Sequence, residues 1–394
     1  MTPVKKLDEL IYLHQPFHPP LIFGEKAGKK NVLDIINNVT QSRSNFNFTS
    51  INDRSGTYQY KLKMKNVNPL PTDYNTTKTF ADCCNERAAE LLATGKTVTV
   101  SWSGGIDSTV ALVSLLNVTQ NLSQIKVLLN AKSIEEYPLF YNTYIKDRIE
   151  TFTLIDQHLS KYIISSENEL LVGGDPADYM LGRNFDLPLI GSTIEEWYNY
   201  QAENVEYLVS NPALKALIYD KIMHLINTTC PYTVTNGFEA VRWVKFVIGW
   251  EQGMNRILKF NLFDKTNIQN RIGFFNTQDF QKWSVSNHDT LVGDTPETFK
   301  YILKNYIYDF TGDADYRDNK VKMGSARMEN FNDPDIQAVS VIQQKRMNDT
   351  SAVMIDSLYN SYTNTMILGS ESIYRQHIID NLVLPSNHGD WIQI

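Results

Sequence analysis

Three short runs of apolar residues, each followed by glycine or polar residues, stand out along the chain. They lie at residues 97–100, 124–130 and 169–174, and their β-branched and aliphatic side chains predict buried strands. Segments with apolar residues at helical spacing separate these runs, so strands and helices alternate. This alternation predicts an α/β fold with a doubly wound parallel sheet.

Helical spacing of apolar residues predicts the other elements. The first helix is expected over Phe80–Ala93, where apolar residues form one stripe and Gly95 follows as a stop signal. A second helix begins near Asp107. The remaining predicted helices lie at residues 139–149, 155–164, 194–207, 213–226, 238–258, 277–285, 296–308 and 336–358. The C-terminal half of the α/β region is therefore expected to be mainly helical.

The chain is predicted to contain three regions. Residues 1–75 form a small β-containing N-terminal region, in which residues 47–51 and 57–64 are expected to pair as a hairpin. Prolines at positions 69 and 71 indicate a linker over residues 66–77. Residues 76–345 form the α/β region, and residues 346–394 form a C-terminal extension.

Composition narrows the classes of function. The net charge of -7 and the sequence pI near 5.6 make nucleic acid an unexpected partner. The sequence has no run of ~18 apolar residues that would span a membrane and no N-terminal signal peptide. Its three cysteines, Cys83, Cys84 and Cys230, lack metal-binding spacing and suit a reducing compartment. We therefore expect a cytoplasmic protein.

The segment Ser103-Gly104-Gly105-Ile106-Asp107-Ser108, called the glycine loop below, joins the first predicted strand to a helix. A strand, a glycine turn and a helix N-terminus together direct backbone N–H groups at an anion. Glycines allow a phosphate to approach the backbone closely, and the two serines add hydroxyl donors. The Asp107 carboxylate would repel a phosphate, so its expected role is to hold Mg²⁺. The alternative is an ordinary turn between a strand and a helix.

A second acidic turn, Gly174-Asp175-Pro176-Ala177-Asp178, follows the third predicted strand. Carboxyl ends of parallel strands meet at one edge of a sheet, so both turns are expected at the same edge. One carboxylate would coordinate Mg²⁺, and the other would handle the substrate or a proton. The alternative is simple capping of a helix N-terminus by Asp175 or Asp178.

The glycine loop resembles the pyrophosphate loop (PP-loop) of the ATP pyrophosphatases, which include the asparagine synthetases. The second acidic turn is similar to the Gly-Glu-Gly-x-Asp-Glu turn of the asparagine synthetases, and the resemblance covers about residues 80–345. It implies an adenine nucleotide α-hydrolase-like fold, ATP as a cofactor, and Mg²⁺ bound by Asp107 and Asp178. The residues implied for the pyrophosphate are Ser103, Gly104, Gly105, Asp107 and Ser108.

Two later segments are also similar to this family. Residues 271–280 are similar to an Arg-x-Pro-Phe-Leu-Asp segment, with Gly273 in place of proline. Residues 319–325 are similar to an Arg-Pro-Lys-x-Gly-Phe segment, in which Lys322 matches the lysine that contacts the phosphates. The alternative for Lys322 is a solvated lysine in a charged loop.

Several positions depart from the family pattern. Asp175 replaces a glutamate, Pro176 replaces a glycine, and Tyr179 replaces the second acid of the turn. Ser325 stands in place of an aromatic residue. These departures affect the chemistry of the acceptor more than the ATP site. Thr2 stands where the glutamine-dependent members have the cysteine of their glutaminase, so no glutaminase activity is expected.

The resemblance therefore implies an ATP-dependent amide-forming ligase. A small-molecule or peptide carboxylate would attack the α-phosphate, giving an acyl-adenylate and pyrophosphate, and ammonia or another amine would then release AMP. Lys322 would stabilise the developing charge, and Asp175 would position or deprotonate the amine. The backbone around Val127 and Leu129 would face adenine. A separate protein that supplies ammonia or carries the substrate is a further expected partner.

Two alternative functions remain open at this point. One is a PP-loop enzyme that modifies a nucleobase or tRNA, although the three cysteines lack the spacing that such members use. The other is a degenerate domain that binds a nucleotide without turnover, which the departures at Pro176, Tyr179 and Ser325 favour.

Overall fold

The protein is described here from a computed structural model. It describes residues 9–13, 29–41, 53–58, 68–154, 166–182, 184–250, 270–290, 295, 298–320, 365–368 and 391–393. The chain divides into two compact units. The first comprises residues 1–70, 188–265 and 333–394, and the second comprises residues 71–187 and 266–332. The limits predicted above for the three regions of the chain stay a prediction.

The described strands and helices are numbered in chain order. The strands are β1 (Glu9–Leu13), β2 (Lys29–Asn31), β3 (Thr97–Ser101), β4 (Ile125–Leu129), β5 (Glu150–Thr153), β6 (Glu169–Gly173), β7 (Arg271–Gly273), β8 (Thr365–Leu368) and β9 (Trp391–Gln393). The helices are α1 (Val32–Gln41), α2 (Phe80–Ala93), α3 (Ile106–Val118), α4 (Ala131–Glu136), α5 (Pro138–Phe140), α6 (Ala177–Leu181), α7 (Ile194–Ala202), α8 (Glu206–Val209), α9 (Pro212–Thr229), α10 (Gly237–Val244), α11 (Gln278–Ser286), α12 (Tyr301–Thr311) and α13 (Ala314–Asn319). Short 3-10 segments lie at Leu122–Gln124 and Asn184–Gly191, and π-helical segments lie at Tyr141–Ile145 and Lys245–Gly249.

The second unit is built on a five-stranded sheet with the order β5-β4-β3-β6-β7. All four pairs of neighbouring strands are parallel. The predicted α/β fold with a parallel sheet and a helical C-terminal portion is therefore confirmed. Strands β3, β4 and β6 form where the sequence predicts them, because their β-branched and aliphatic side chains are buried on both faces.

The order of the strands creates a switch point at β3 and β6. The chain passes from β3 to β4 on one side of β3, and β6 later adds to the other side. In open α/β sheets, ligands bind at the carboxyl ends of the strands where the order reverses. The glycine loop follows β3 and the second acidic turn follows β6, so both lie at this switch point.

The central strand also carries a buried polar contact. Thr99 of β3 donates a hydrogen bond from its hydroxyl to the carboxylate of Glu169 on the neighbouring β6, with 2.6 Å between the oxygens. Both residues are buried. A buried hydroxyl without a partner would be costly, so this pairing explains how threonine is accommodated in the central strand.

Two strands of the sheet were missed by the sequence pattern. The prediction placed a helix over residues 139–149, but helical structure ends at Ile145, and β5 begins at Glu150. Three of the four β5 residues are exposed, so this edge strand lacks an apolar pattern. Strand β7 has only three residues, one of them Gly273. The helix predicted over residues 155–164 lies outside the described residues.

Apart from the helix placed over residues 139–149, the predicted helices that fall on described residues form with changes in their limits. The helix predicted over residues 238–258 is described only as far as residue 250. Helix α2 spans the predicted residues, and the prediction over 194–207 corresponds to two helices, α7 and α8. Helix α12 begins at Tyr301, five residues later than predicted, because Lys300 before it has a left-handed backbone with φ of 56°. The helix predicted at residues 336–358 and the paired strands predicted at 47–51 and 57–64 lie wholly or mainly outside the described residues. Among the helices that the structure describes, none is long and apolar enough to cross a membrane.

The first unit joins segments that are far apart in the sequence. Strand β1 pairs with β8 in parallel, and β2 pairs with β9 in antiparallel orientation. Helix α1, which the sequence pattern did not predict, follows β2 directly and buries residues such as Val32, Ile35 and Ile36. Strands β8 and β9 of the C-terminal extension are therefore partners of strands in the N-terminal region.

Candidate active site

The glycine loop connects the end of β3 to the start of α3. Gly104 has a left-handed backbone with φ of 75°, and a Cβ atom at this position would lie 2.3 Å from the carbonyl oxygen of Ser133. Glycine is therefore required at position 104 for both its conformation and its lack of a side chain. Gly105 caps α3 without a side-chain hydrogen bond, which leaves the first-turn N–H groups of the helix without intrahelical partners. Such N–H groups are suitable donors to an anion.

The two serines of the loop bond to each other. Their hydroxyl oxygens are 3.0 Å apart, and the Ser108 hydroxyl also accepts a hydrogen bond from the Ser103 backbone N–H at 3.1 Å. The Gly105 N–H donates to the Ser103 hydroxyl at 3.2 Å. These bonds fix the shape of the loop around its helix N-terminus. The direct contact of Ser103 and Ser108 with phosphate stays a prediction.

The second acidic turn packs directly against the glycine loop. A Cβ atom at Gly174 would lie 2.8 Å from Cβ of Asp107 and 2.9 Å from the backbone nitrogen of Ser108. The turn is also held from β7, because Phe274 N–H donates to the Gly173 carbonyl at 2.8 Å. The two turns predicted to share one edge of the sheet are thus in van der Waals contact.

Asp107 and Asp178, the two predicted metal ligands, converge on the ammonium of Lys300. Lys300 Nζ lies 2.7 Å from each carboxylate oxygen of Asp107 and 2.8 Å from Oδ1 of Asp178. The Lys300 side chain is 1% exposed, whereas those of Asp107 and Asp178 are 21% and 35% exposed. Solvent therefore reaches both carboxylates but hardly reaches the ammonium, so Lys300 lies on the buried side of the pair.

The two carboxylates keep Lys300 charged. Burial alone would lower the pKa of Lys300, but the attraction and hydrogen bonds of Asp107 and Asp178 outweigh burial and raise this pKa above its ordinary value. Within this contact, one ammonium charge offsets one of the two carboxylate charges.

The carboxylate pair fits the ligand chemistry of magnesium. Mg²⁺ is usually bound by one or two carboxylates, with water and substrate phosphates as its other ligands. Asp107 and Asp178 meet this requirement, because they converge on one cation and remain accessible beside the glycine loop. Among the described residues, no group of three or more His, Cys, Asp or Glu side chains is arranged to hold a metal ion.

A second buried ion pair lies beside the glycine loop. Lys320 Nζ is 2.8 Å from the carboxylate of Glu136, and the two side chains are 7% and 2% exposed. A Cβ atom at Gly104 would lie 2.9 Å from Cβ of Glu136, so this pair packs under the loop. The Tyr316 hydroxyl also donates to the Gly104 carbonyl at 3.4 Å. These contacts support the glycine loop from its buried side.

The other predicted site residues are placed as follows. Val127 and Leu129 are buried in β4, and their strand is paired on both sides, with β3 and β5. The Asp175 carbonyl accepts a hydrogen bond from Phe275 N–H at 3.3 Å, which anchors the second turn to the end of β7. The roles predicted for these residues in adenine binding and amine handling stay predictions. Lys322 and Ser325 lie outside the described residues.

Sequence reasoning missed Lys300, Glu136 and Lys320. Lys300 is separated by 193 residues from Asp107 and by 122 residues from Asp178, so no local pattern could have linked them. Lys320 lies in the segment 319–325, in which only Lys322 matches the lysine of the family. Lys300 lies within a predicted helix, and nothing in the local pattern marked it as a partner of the two aspartates.

No family model, curated protein or solved structure matches this chain. The order of the five parallel strands is consistent with Rossmann-like and adenine nucleotide α-hydrolase folds. The resemblance inferred from the sequence is therefore supported at the level of this sheet.

Proposed function

We propose that this chain is an ATP-dependent amide-forming ligase that resembles the asparagine synthetases and activates a carboxylate as its adenylate. The observation that supports this proposal best is the convergence of Asp107 and Asp178 on one cation beside the glycine loop. If each turn only started a helix, there would be no reason for their carboxylates to share a cation. Here both turns lie at the switch point of the sheet, and both carboxylates contact Lys300.

The glycine loop would bind the β- and γ-phosphates of ATP. The first-turn N–H groups of α3 are directed to this edge of the sheet, and the missing side chains at Gly104 and Gly105 allow the phosphates to approach. Mg²⁺ bound with ATP would neutralise phosphate charge and would be held by Asp107 and Asp178. In the proposed reaction the bond between the α- and β-phosphates breaks, and the loop retains pyrophosphate.

The remaining steps transfer the activated acyl group to the amine. A substrate carboxylate attacks the α-phosphorus, the bond to the β-phosphate oxygen breaks, and pyrophosphate leaves. An amine then attacks the acyl carbon, loses a proton and expels AMP, which leaves an amide. Asp175 is proposed to position or deprotonate the amine, and Lys322 is proposed to stabilise the charge that develops on pyrophosphate.

Product analysis tests this proposal. The protein is incubated with ATP labelled at the α-phosphate, Mg²⁺, pools of amino acids and dicarboxylic acids, and either ammonium or hydroxylamine as the amine. We expect AMP and pyrophosphate, with hydroxamates when hydroxylamine is the acceptor. Asp107→Ala should lower AMP formation by at least about 100-fold, because it removes a carboxylate proposed to hold the Mg²⁺ that neutralises the phosphates.

A matched control is Asp289→Ala, which removes an exposed aspartate of the same unit and should leave AMP formation unchanged. Release of ADP and phosphate instead of AMP and pyrophosphate would contradict the proposed reaction. ATP binding in calorimetry without AMP formation from any pool would favour the degenerate, non-catalytic alternative.

A further inference from the structure

Lys300 uses its full hydrogen-bonding capacity on the two carboxylates. An ammonium group has three N–H donors, and its nitrogen lies 2.7, 2.7 and 2.8 Å from three carboxylate oxygens. A lysine that is saturated in this way has no donor left for a phosphate. Lys300 therefore holds the carboxylates of Asp107 and Asp178 at a fixed distance from each other.

The backbone at Lys300 is adapted to this contact. Its φ of 56° lies in the left-handed region, which costs a residue other than glycine roughly 1 kcal/mol. The carbonyl of Lys300 accepts hydrogen bonds from Leu303 and Lys304 N–H at 3.0 and 3.1 Å, which start helix α12. The start of α12 therefore holds the lysine backbone, and the side chain reaches the buried side of the carboxylate pair.

The charge of Lys300 also changes what the pair attracts. The ammonium of Lys300 offsets one of the two carboxylate charges that a divalent cation would meet here. A dication that arrives alone also meets the repulsion of the ammonium. A dication that arrives bound to ATP already has phosphate ligands and their negative charge. It therefore requires fewer ligands and less negative charge from the protein.

We propose that Lys300 is a positioning residue that clamps Asp107 and Asp178 from the buried side, and that its charge suppresses the binding of free divalent cations so that metal enters the site together with ATP. This inference rests on the proposed function, because it assigns a selectivity to the metal site used there. Through Lys300, binding of the metal ion would depend on binding of the nucleotide.

The test measures Mn²⁺ affinity without ATP, by electron paramagnetic resonance of the free ion, for the full chain and its variants. Lys300→Met should bind Mn²⁺ at least about tenfold more tightly than the unmodified protein, because a positive charge next to the ion is removed. Lys300→Gln is the milder second variant, since its amide still donates a hydrogen bond, and it should also bind more tightly. A purely structural role for Lys300 would not increase metal affinity.

Two controls identify the site. Lys300→Met combined with Asp178→Asn should lose the additional affinity, because one ligand is removed. Lys146→Met removes an exposed lysine of the same unit and should leave Mn²⁺ affinity unchanged. With ATP present, the difference between Lys300→Met and the unmodified protein should become smaller.

Equal Mn²⁺ affinity in the unmodified protein, Lys300→Met and Lys300→Gln would overturn the inference. If the unmodified protein nevertheless forms AMP, the proposed ligase activity stands and only the role of Lys300 fails. If the variants bind Mn²⁺ more tightly but AMP is never formed, the clamp is supported and the ligase proposal fails.

Discussion

Two buried lysines lie beside the glycine loop, and their carboxylate partners differ in exposure. Lys320 pairs with Glu136, and both side chains are almost fully buried. Lys300 is equally buried, but its partners Asp107 and Asp178 are reached by solvent. A pair enclosed on all sides can only support structure, whereas carboxylates open to solvent can also bind something. The Lys320–Glu136 pair therefore supports the glycine loop, whereas the cluster of Lys300 with Asp107 and Asp178 remains open to a ligand.

The largest expected effect on stability is at the enclosed pair. Glu136→Ala leaves the Lys320 ammonium buried without its carboxylate, and removal of one partner of a buried ion pair costs about 3–5 kcal/mol. Urea unfolding followed by fluorescence measures this loss. Glu136→Gln combined with Lys320→Met is the matched control and should recover much of the stability, because no unpaired charge remains. A loss below about 1 kcal/mol in Glu136→Ala would show that water reaches the Lys320–Glu136 pair. The two lysine sites would then not differ in the way described here.

A smaller loss is expected for Lys300→Met at neutral pH. The two aspartates lose their cation, but water can hydrate them, so we expect a cost of about 1–3 kcal/mol in the free energy of unfolding. A cost equal to that of Glu136→Ala would contradict the proposed difference between the two pairs.

The pH dependence of that loss follows from the raised pKa of Lys300. A raised folded-state pKa stabilises the protein fully below the unfolded-state value of about 10.4, and this stabilisation is lost as pH rises through the folded-state pKa. The difference in stability between the unmodified protein and Lys300→Met should thus be constant from about pH 7 to 9 and decline at higher pH. Urea unfolding across this range measures it, and a decline that begins below about pH 9 would disagree.

The smallest effect is expected at Tyr316, on the Lys320 side of the loop. Tyr316→Phe removes a long hydrogen bond to the Gly104 carbonyl, worth about 0.5 kcal/mol, and keeps the ring stacked on Tyr137 at 3.8 Å. Tyr137→Phe is the control, since its hydroxyl donates to Asp313 at 3.0 Å instead of to the loop. Nucleotide affinity measured by calorimetry should fall about twofold in Tyr316→Phe and stay constant in Tyr137→Phe. A larger fall in the control would show that the stacked rings, and not this bond, shape the loop.

The sequence was informative where the structure depends on neighbours along the chain. Strand β3 and helix α2 were predicted within one residue, because their burial patterns are local. The glycine loop was found because its glycines are required by backbone conformation and close contact, as at Gly104. Asp107 and Asp178 lie at the same edge, because parallel strands end there, and their role as magnesium ligands stays a prediction.

The missed features depend on distant partners. Strand β5 is at the edge of the sheet, and its exposed residues have no apolar pattern, so only its pairing with β4 defines it. Lys300 is defined by carboxylates that are 193 and 122 residues away, and no periodicity reports such a contact. The apolar spacing predicted that this helix begins at residue 296, but the left-handed backbone of Lys300 places its start at Tyr301.

The pairing of β1 with β8 and of β2 with β9 has a consequence for synthesis of the chain. Strand β1 leaves the ribosome more than three hundred residues before its partner β8 is made. At ~5–20 residues per second, this interval lasts roughly 20 to 70 s. During that time β1 and β2 lack these partners, and unpaired strand edges are places where other chains can pair.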